Sequence, residues 1–171
     1  MKRLSFLLKI TCIVLFTACN SDDNSNNNVA LDPYISFNVS GFFWSSNSAV
    51  IGSSVTDGQH NFTVAGTDET FNGEISSFSA IFSTPEQISI GTYILNDDND
   101  GGVALTKLNN KTYLGGMSST TFTLTIEEIE GSGSNRRFSG SFAGTLVGPT
   151  SGDIVTISNG YFSNFPIEVA D

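Results

Sequence analysis

Phe122-Thr123-Leu124-Thr125-Ile126 alternates apolar and polar residues without a break. An extended chain with this pattern turns its apolar side chains to one face and its threonines to the other. That is how a half-buried antiparallel strand reads. Phe138-Ser139-Gly140-Ser141-Phe142-Ala143-Gly144 repeats the alternation, with glycines in place of some apolar residues. Glycine inside a strand leaves room for a bulky neighbour or a bend.

Outward from these two segments the same period of two recurs from Asp32 onward, and no stretch of ten or more residues has helical spacing free of Gly, Ser-Ser or Pro. The fold class is therefore all-β. Strands are predicted at 34–40, 49–55, 61–66, 75–82, 88–95, 121–128, 137–146 and 154–162, with fainter ones at 103–107 and 111–114. Asp57-Gly58, Asn72-Gly73, Asp100-Gly101 and Asn159-Gly160 are turn sequences that accept positive φ. Short antiparallel connections follow from them. About ten strands are too many for one open twisted sheet in a chain this long, so the expected architecture is an antiparallel two-sheet β-sandwich, with a closed lipocalin-like barrel as the alternative.

The N-terminus reads as an address. Lys2, Arg3 and Lys9 precede a short apolar run that ends in Leu15-Phe16-Thr17-Ala18-Cys19. The longest uncharged part, residues 10–18, is far below the roughly 20 residues of a spanning helix. Ordinary secretory cleavage before Cys19 would place bulky Phe16 at −3, where small residues are required. The segment instead resembles a bacterial lipoprotein signal, with 1–18 removed and Cys19 carrying the lipid. Leu15 stands one residue earlier than the usual leucine of that signal. Residues 19–31 then form a tether, since the tract from Asn20 to Asn28 contains no apolar residue and cannot offset its ordering entropy. The domain proper is expected at 32–171. Ser21-Asp22-Asp23, directly after the lipidated Cys, resembles the export signal that carries lipoproteins of the Bacteroidota to the outer face of the outer membrane.

Cysteine usage and charge remove whole classes of chemistry. The two cysteines are Cys12, inside the signal, and Cys19. The domain thus has no disulfide, no Cys-ligated metal and no Cys nucleophile. Loss of the signal leaves Lys107, Lys111, Arg136 and Arg137 against 17 acids, a net charge of −13. Such a domain does not bind nucleic acid through bulk electrostatics.

A wider likeness runs through Phe37-Asn38-Val39-Ser40-Gly41 and Trp44, Ile90-Gly91-Thr92-Tyr93, the two alternating segments above, and Val155-Thr156-Ile157-Ser158-Asn159-Gly160-Tyr161-Phe162. In this order they resemble a group of small Bacteroidota lipoproteins that share a domain of unknown function. The resemblance implies a single all-β domain behind a lipoprotein signal and supplies no catalytic residue. Phe42-Phe43 departs from that pattern, in which a charged or polar residue often stands between the glycine and the tryptophan.

The candidate sites are few. His60 is the sole histidine and follows the Asp57-Gly58 turn, a poor setting for a Ser-His-Asp triad. Asn96, Asp98 and Asp100 offer oxygens at alternating positions before Gly101-Gly102, the spacing of a Ca²⁺ loop. Lys107 stands where the closing bidentate Glu belongs, so the expectation is a solvated hairpin tip and no cofactor. Glu127, Glu128 and Glu130 face Arg136 and Arg137 across a short turn and are expected to form cross-strand ion pairs. A glycosidase needs two carboxylates about 5–9.5 Å apart across a cleft. Trp44 is expected to pack in the core or at its rim, and is otherwise the first residue to consider as a glycan platform. The functional expectation is a surface-exposed outer-membrane lipoprotein without catalytic activity, a structural or binding module for a glycan or protein partner. The alternatives are a carboxylate-based glycoside hydrolase and a lipocalin-like carrier of an apolar ligand.

Overall fold

The computed structural model describes residues 33–68, 75–96, 101–107, 111–116 and 120–165, all within the compact unit Leu31–Asp171. They form eleven strands: β1 (Tyr34–Val39), β2 (Phe42–Ser46), β3 (Ser48–Thr56), β4 (Gln59–Thr67), β5 (Ile75–Thr84), β6 (Gly91–Leu95), β7 (Gly102–Lys107), β8 (Thr112–Gly115), β9 (Phe122–Glu130), β10 (Arg137–Val147) and β11 (Ile154–Ser163). A single 3₁₀ turn, Gly133–Asn135, joins β9 to β10. The all-β reading holds. The strand that period-two reading misses is β2, where the consecutive aromatics Phe42-Phe43-Trp44 conceal the alternation.

The two-sheet sandwich is wrong. All eleven strands belong to one antiparallel sheet with the order β2-β1-β11-β10-β8-β7-β5-β4-β3, β9 attached to β10 and β6 to β9. This sheet curls into a nearly closed barrel. Its path begins on β2 and ends on β3, and those two strands are one stretch of chain bent at Asn47. The first half of the stretch pairs with β1 and the second with β4. The buried Ser46 hydroxyl fastens the corner: it accepts from Ser48 N at 3.1 Å and donates to Thr67 O at 2.6 Å.

Curvature comes from irregularities in the ladders. Opposite Asn159 the register shifts on both sides of β11, between Ser36 and Asn38 on β1 and between Phe142 and Gly144 on β10. Asn159 has φ 51°. Asn159-Gly160, a turn by sequence, is therefore a bulge within β11, and a bulge bends and twists its strand. Gly160 is required there because a Cβ would run into the Phe142 ring and carbonyl. At β10 the sheet divides, with β9 along Arg137 to Gly144 and β8 taking over at Val147, opposite Leu114. The Asp57-Gly58 turn does join β3 to β4, with φ 52° and 75°.

Inward side chains from the strands form one hydrophobic cluster. Phe142 sits at its hub, 4.9 Å from the Phe78 ring in a stacked arrangement and 5.8–5.9 Å from Phe37 and Phe122. Phenylalanine thus supplies most of the large buried rings among the described residues. Phe42 and Phe43, 64% and 67% exposed beside the β1–β2 turn, are the exceptions.

Candidate ligand-binding face

Several expected sites lie outside the described residues: Cys19, Ser21, Asp22, Asp23, Asp98 and Asp100. Asn96 is described and follows β6 directly. Among the described residues no group of three or more His, Cys, Asp or Glu side chains comes together as a metal site. His60 stands on β4 opposite Val55 and Thr84, with no serine or carboxylate bonded to it among the described residues. Trp44 is only 4% exposed, donates Nε1–H to Ile75 O at 3.2 Å, and lies 4.8 Å from the Phe37 ring. It packs in the core and presents no face to solvent.

The acids and arginines of the β9–β10 hairpin do not pair as expected. Arg137 stands opposite Glu130 in the ladder, yet neither arginine has a carboxylate within 4.0 Å among the described residues. The extra residue at the β9 bulge re-aims Glu127 and Glu128 onto β10 hydroxyls instead. Ser141 Oγ donates to Glu127 Oε1 at 2.6 Å and Ser139 Oγ to Glu128 Oε2 at 3.4 Å. Arg136 Nη2 donates to Ile88 O at 2.6 Å. All three glutamates are exposed, and no acid is buried among the described residues.

What the barrel does assemble is a continuous polar face on the outside of β2, β1, β11, β10, β9 and β6. In the ladders Ser45 stands beside Ser36, Ser36 beside Tyr161, Tyr161 beside Ser141, Ser141 beside Thr125 and Thr125 beside Thr92. A row of hydroxyl groups thereby crosses six strands. The inward neighbours Phe37, Phe142, Leu124 and Ile126 lie in the core, so strand alternation turns this row outward, with Ser36 covered by its neighbours at 9% exposure. Thr92 and Thr125 share a hydrogen bond of 3.0 Å. Tyr161 occupies the middle of the row, and 43% of it is exposed. On its flank the Ser141–Glu127 hydrogen bond holds a carboxylate against the same face.

An exposed ring with a polar tip, set among hydroxyl groups and a carboxylate, can stack on one side of a flat polyhydroxylated molecule while the neighbours exchange hydrogen bonds with its rim. Sequence reading put Tyr161 in the strand 154–162, with turn chemistry at Asn159-Gly160, and did not single it out as an exposed ring. The available signal was Tyr161-Phe162 itself, one aromatic on each face of a strand.

No protein-family model, curated protein or solved structure matches this chain. The likeness to small Bacteroidota lipoproteins therefore rests on its own residues, and of what it implies the single all-β domain is what the structure bears out.

Proposed function

We propose that this protein is a lipid-anchored lipoprotein of the outer membrane, displayed at the cell surface, whose barrel binds a glycan on the outer face centred on Tyr161. Cys19 carries the anchor and Ser21-Asp22-Asp23 directs display. The observation that carries the glycan reading is the exposed Tyr161 ring in the middle of a six-strand hydroxyl row. The role is binding without chemistry: the glutamates on this face are exposed and accept hydrogen bonds from Ser139 and Ser141.

A glycan array probed with the full chain tests the reading. Spots bound by the wild type should weaken at least tenfold with Tyr161→Ala, about 1.4 kcal/mol, and persist with Phe43→Ser. An array on which wild type and Tyr161→Ala give the same pattern removes the glycan from the proposal and leaves a protein partner.

The nearly closed barrel favours a second reading, the carrier of an apolar ligand. Phe37, Phe62, Phe78, Phe122, Phe138 and Phe162 occupy its interior at 0–1% exposure. A carried ligand must displace some of these rings. Saturable uptake of an apolar fluorescent probe, abolished by Phe78→Trp and unchanged by Tyr161→Ala, would place the ligand inside the barrel.

A further inference from the structure

We infer that the end of the barrel beside the β9–β10 turn is an oxyanion site, built around Arg136 and Arg137, that takes the carboxylate or sulfate of an acidic saccharide. The inference rests on the glycan reading for the nature of the ligand and on separate geometry for the site. Four cations remain in the mature chain, and two of them are adjacent here. Lys111 lies 3.9 Å from Asp153, whereas neither arginine has a carboxylate within that range among the described residues. In a mature chain of net charge −13, these two neighbouring guanidiniums have no ion-pair partner among the described residues, although Glu130 stands opposite Arg137 in the ladder.

The geometry around them is pre-formed. Arg136 Nη2 is held by Ile88 O at 2.6 Å, and its guanidinium carbon lies 5.1 Å from the Phe138 ring centroid. Ile88 is itself fixed, because Tyr93 OH bridges the next residue, donating to Ser89 O at 2.9 Å and accepting from Ser89 N at 3.0 Å. A guanidinium docked in this way keeps N–H groups to spare and loses little rotamer freedom when an anion arrives.

Two open surface grooves meet at Arg136. The larger, about 580 Å³, runs between residues 87–90 and the 3₁₀ turn; the smaller, about 270 Å³, lies toward β3 and Asn164 and is also lined by Arg137. Gly133 borders both, with open space where a Cβ would stand. The larger volume falls within the roughly 300–1,000 Å³ of small-ligand sites. Its walls mix Gln87, Ser89 and Ser132 with Ile90 and Ile129, which suits a sugar ring better than an alkyl chain. An oxyanion of carboxylate or sulfate shape matches the planar fork of an arginine, and the charge-assisted bonds are stronger than neutral ones.

The test follows the melting temperature of the full chain during titration with D-glucuronate, sodium sulfate and D-glucose. Glucuronate or sulfate should give a saturating rise with a millimolar midpoint, and glucose none. Arg136→Gln and Arg137→Gln should each move the midpoint at least tenfold higher. Arg137→Gln removes no side-chain hydrogen bond or ion pair among the described residues and so stands in if Arg136→Gln is destabilised. Glucuronate binding more tightly than sulfate assigns the site to a uronate, and the reverse order to a sulfate ester or the free ion. Tyr161→Ala should leave these titrations unchanged, so failure on the array and failure here are distinguishable. A rise that is linear in concentration and the same in both arginine variants is general salting and overturns the inference.

Discussion

Ser46 shows how much one hydroxyl can carry. It sits where β2 becomes β3, 5% exposed, and satisfies the Ser48 N–H and the Thr67 carbonyl at once. Replacement by Ala removes that partner from both groups, which belong to exposed residues and can turn to water. Ser46→Ala should therefore lower unfolding stability by about 0.5–1.5 kcal/mol, read from the urea midpoint at unchanged slope. Trp44 makes a comparable bond to the Ile75 carbonyl. Trp44→Phe keeps much of the apolar contact while orphaning that carbonyl, and should also cost about 1–3 kcal/mol in the same measurement while leaving ligand binding intact, since the ring never reaches the surface. Which aromatic faces solvent was not legible from residue type. Trp44 and Tyr161 differ in exposure because one side chain packs inward against Phe37 and the other faces outward from β11, and neither follows from composition.

At the scale of elements, the bulge in β11 does the work that a turn at Asn159-Gly160 would otherwise have done. Asn tolerates φ 51° because its short polar side chain is comfortable in the left-handed region, whereas a β-branched residue is not. Asn159→Val should destabilise by about 1–2 kcal/mol, and Asn159→Gly should change stability by a few tenths at most. Equilibrium denaturation of both variants checks the pair; equal losses would mean that the side chain, not the backbone, matters at this position. The strands on either side were readable in advance because Phe122–Ile126 and Phe138–Gly144 alternate cleanly. The pairing of their charges was not. A one-residue bulge at Glu127, opposite Ser139 and Gly140, turns Glu127 and Glu128 toward β10 hydroxyls, and Glu130 stands opposite Arg137 without an ion pair; nothing in the local sequence announces either.

For the whole molecule, the address and the barrel make separate predictions. Cys19→Ala should release the protein from the membrane fraction into the soluble one, measured by fractionation and blotting, because no other cysteine remains after residue 18. Replacing Asp22 and Asp23 with Ala should keep the protein in the membrane while removing its sensitivity to protease in whole cells. Calcium at 1 mM should leave the melting temperature unchanged in both wild type and Asp98→Ala. A micromolar site would add about 4 kcal/mol at that concentration and raise it visibly.

The sequence by itself determined that the chain is all-β, where ten of its strands run, that its domain lacks thiols, and that it is strongly acidic. All of these are local properties, written in period-two alternation and residue counts. Closure was decided only in the tertiary structure. A sandwich and a barrel use the same alternating strands and the same buried faces, and differ in which edges meet. Here the edges meet through the bend at Asn47, the divided pairing of β10 and the bulge at Asn159 in β11. Each is a relation between residues far apart in the chain. The hydroxyl row around Tyr161 is of the same kind, six residues from six strands that become neighbours only once the ladders are in register.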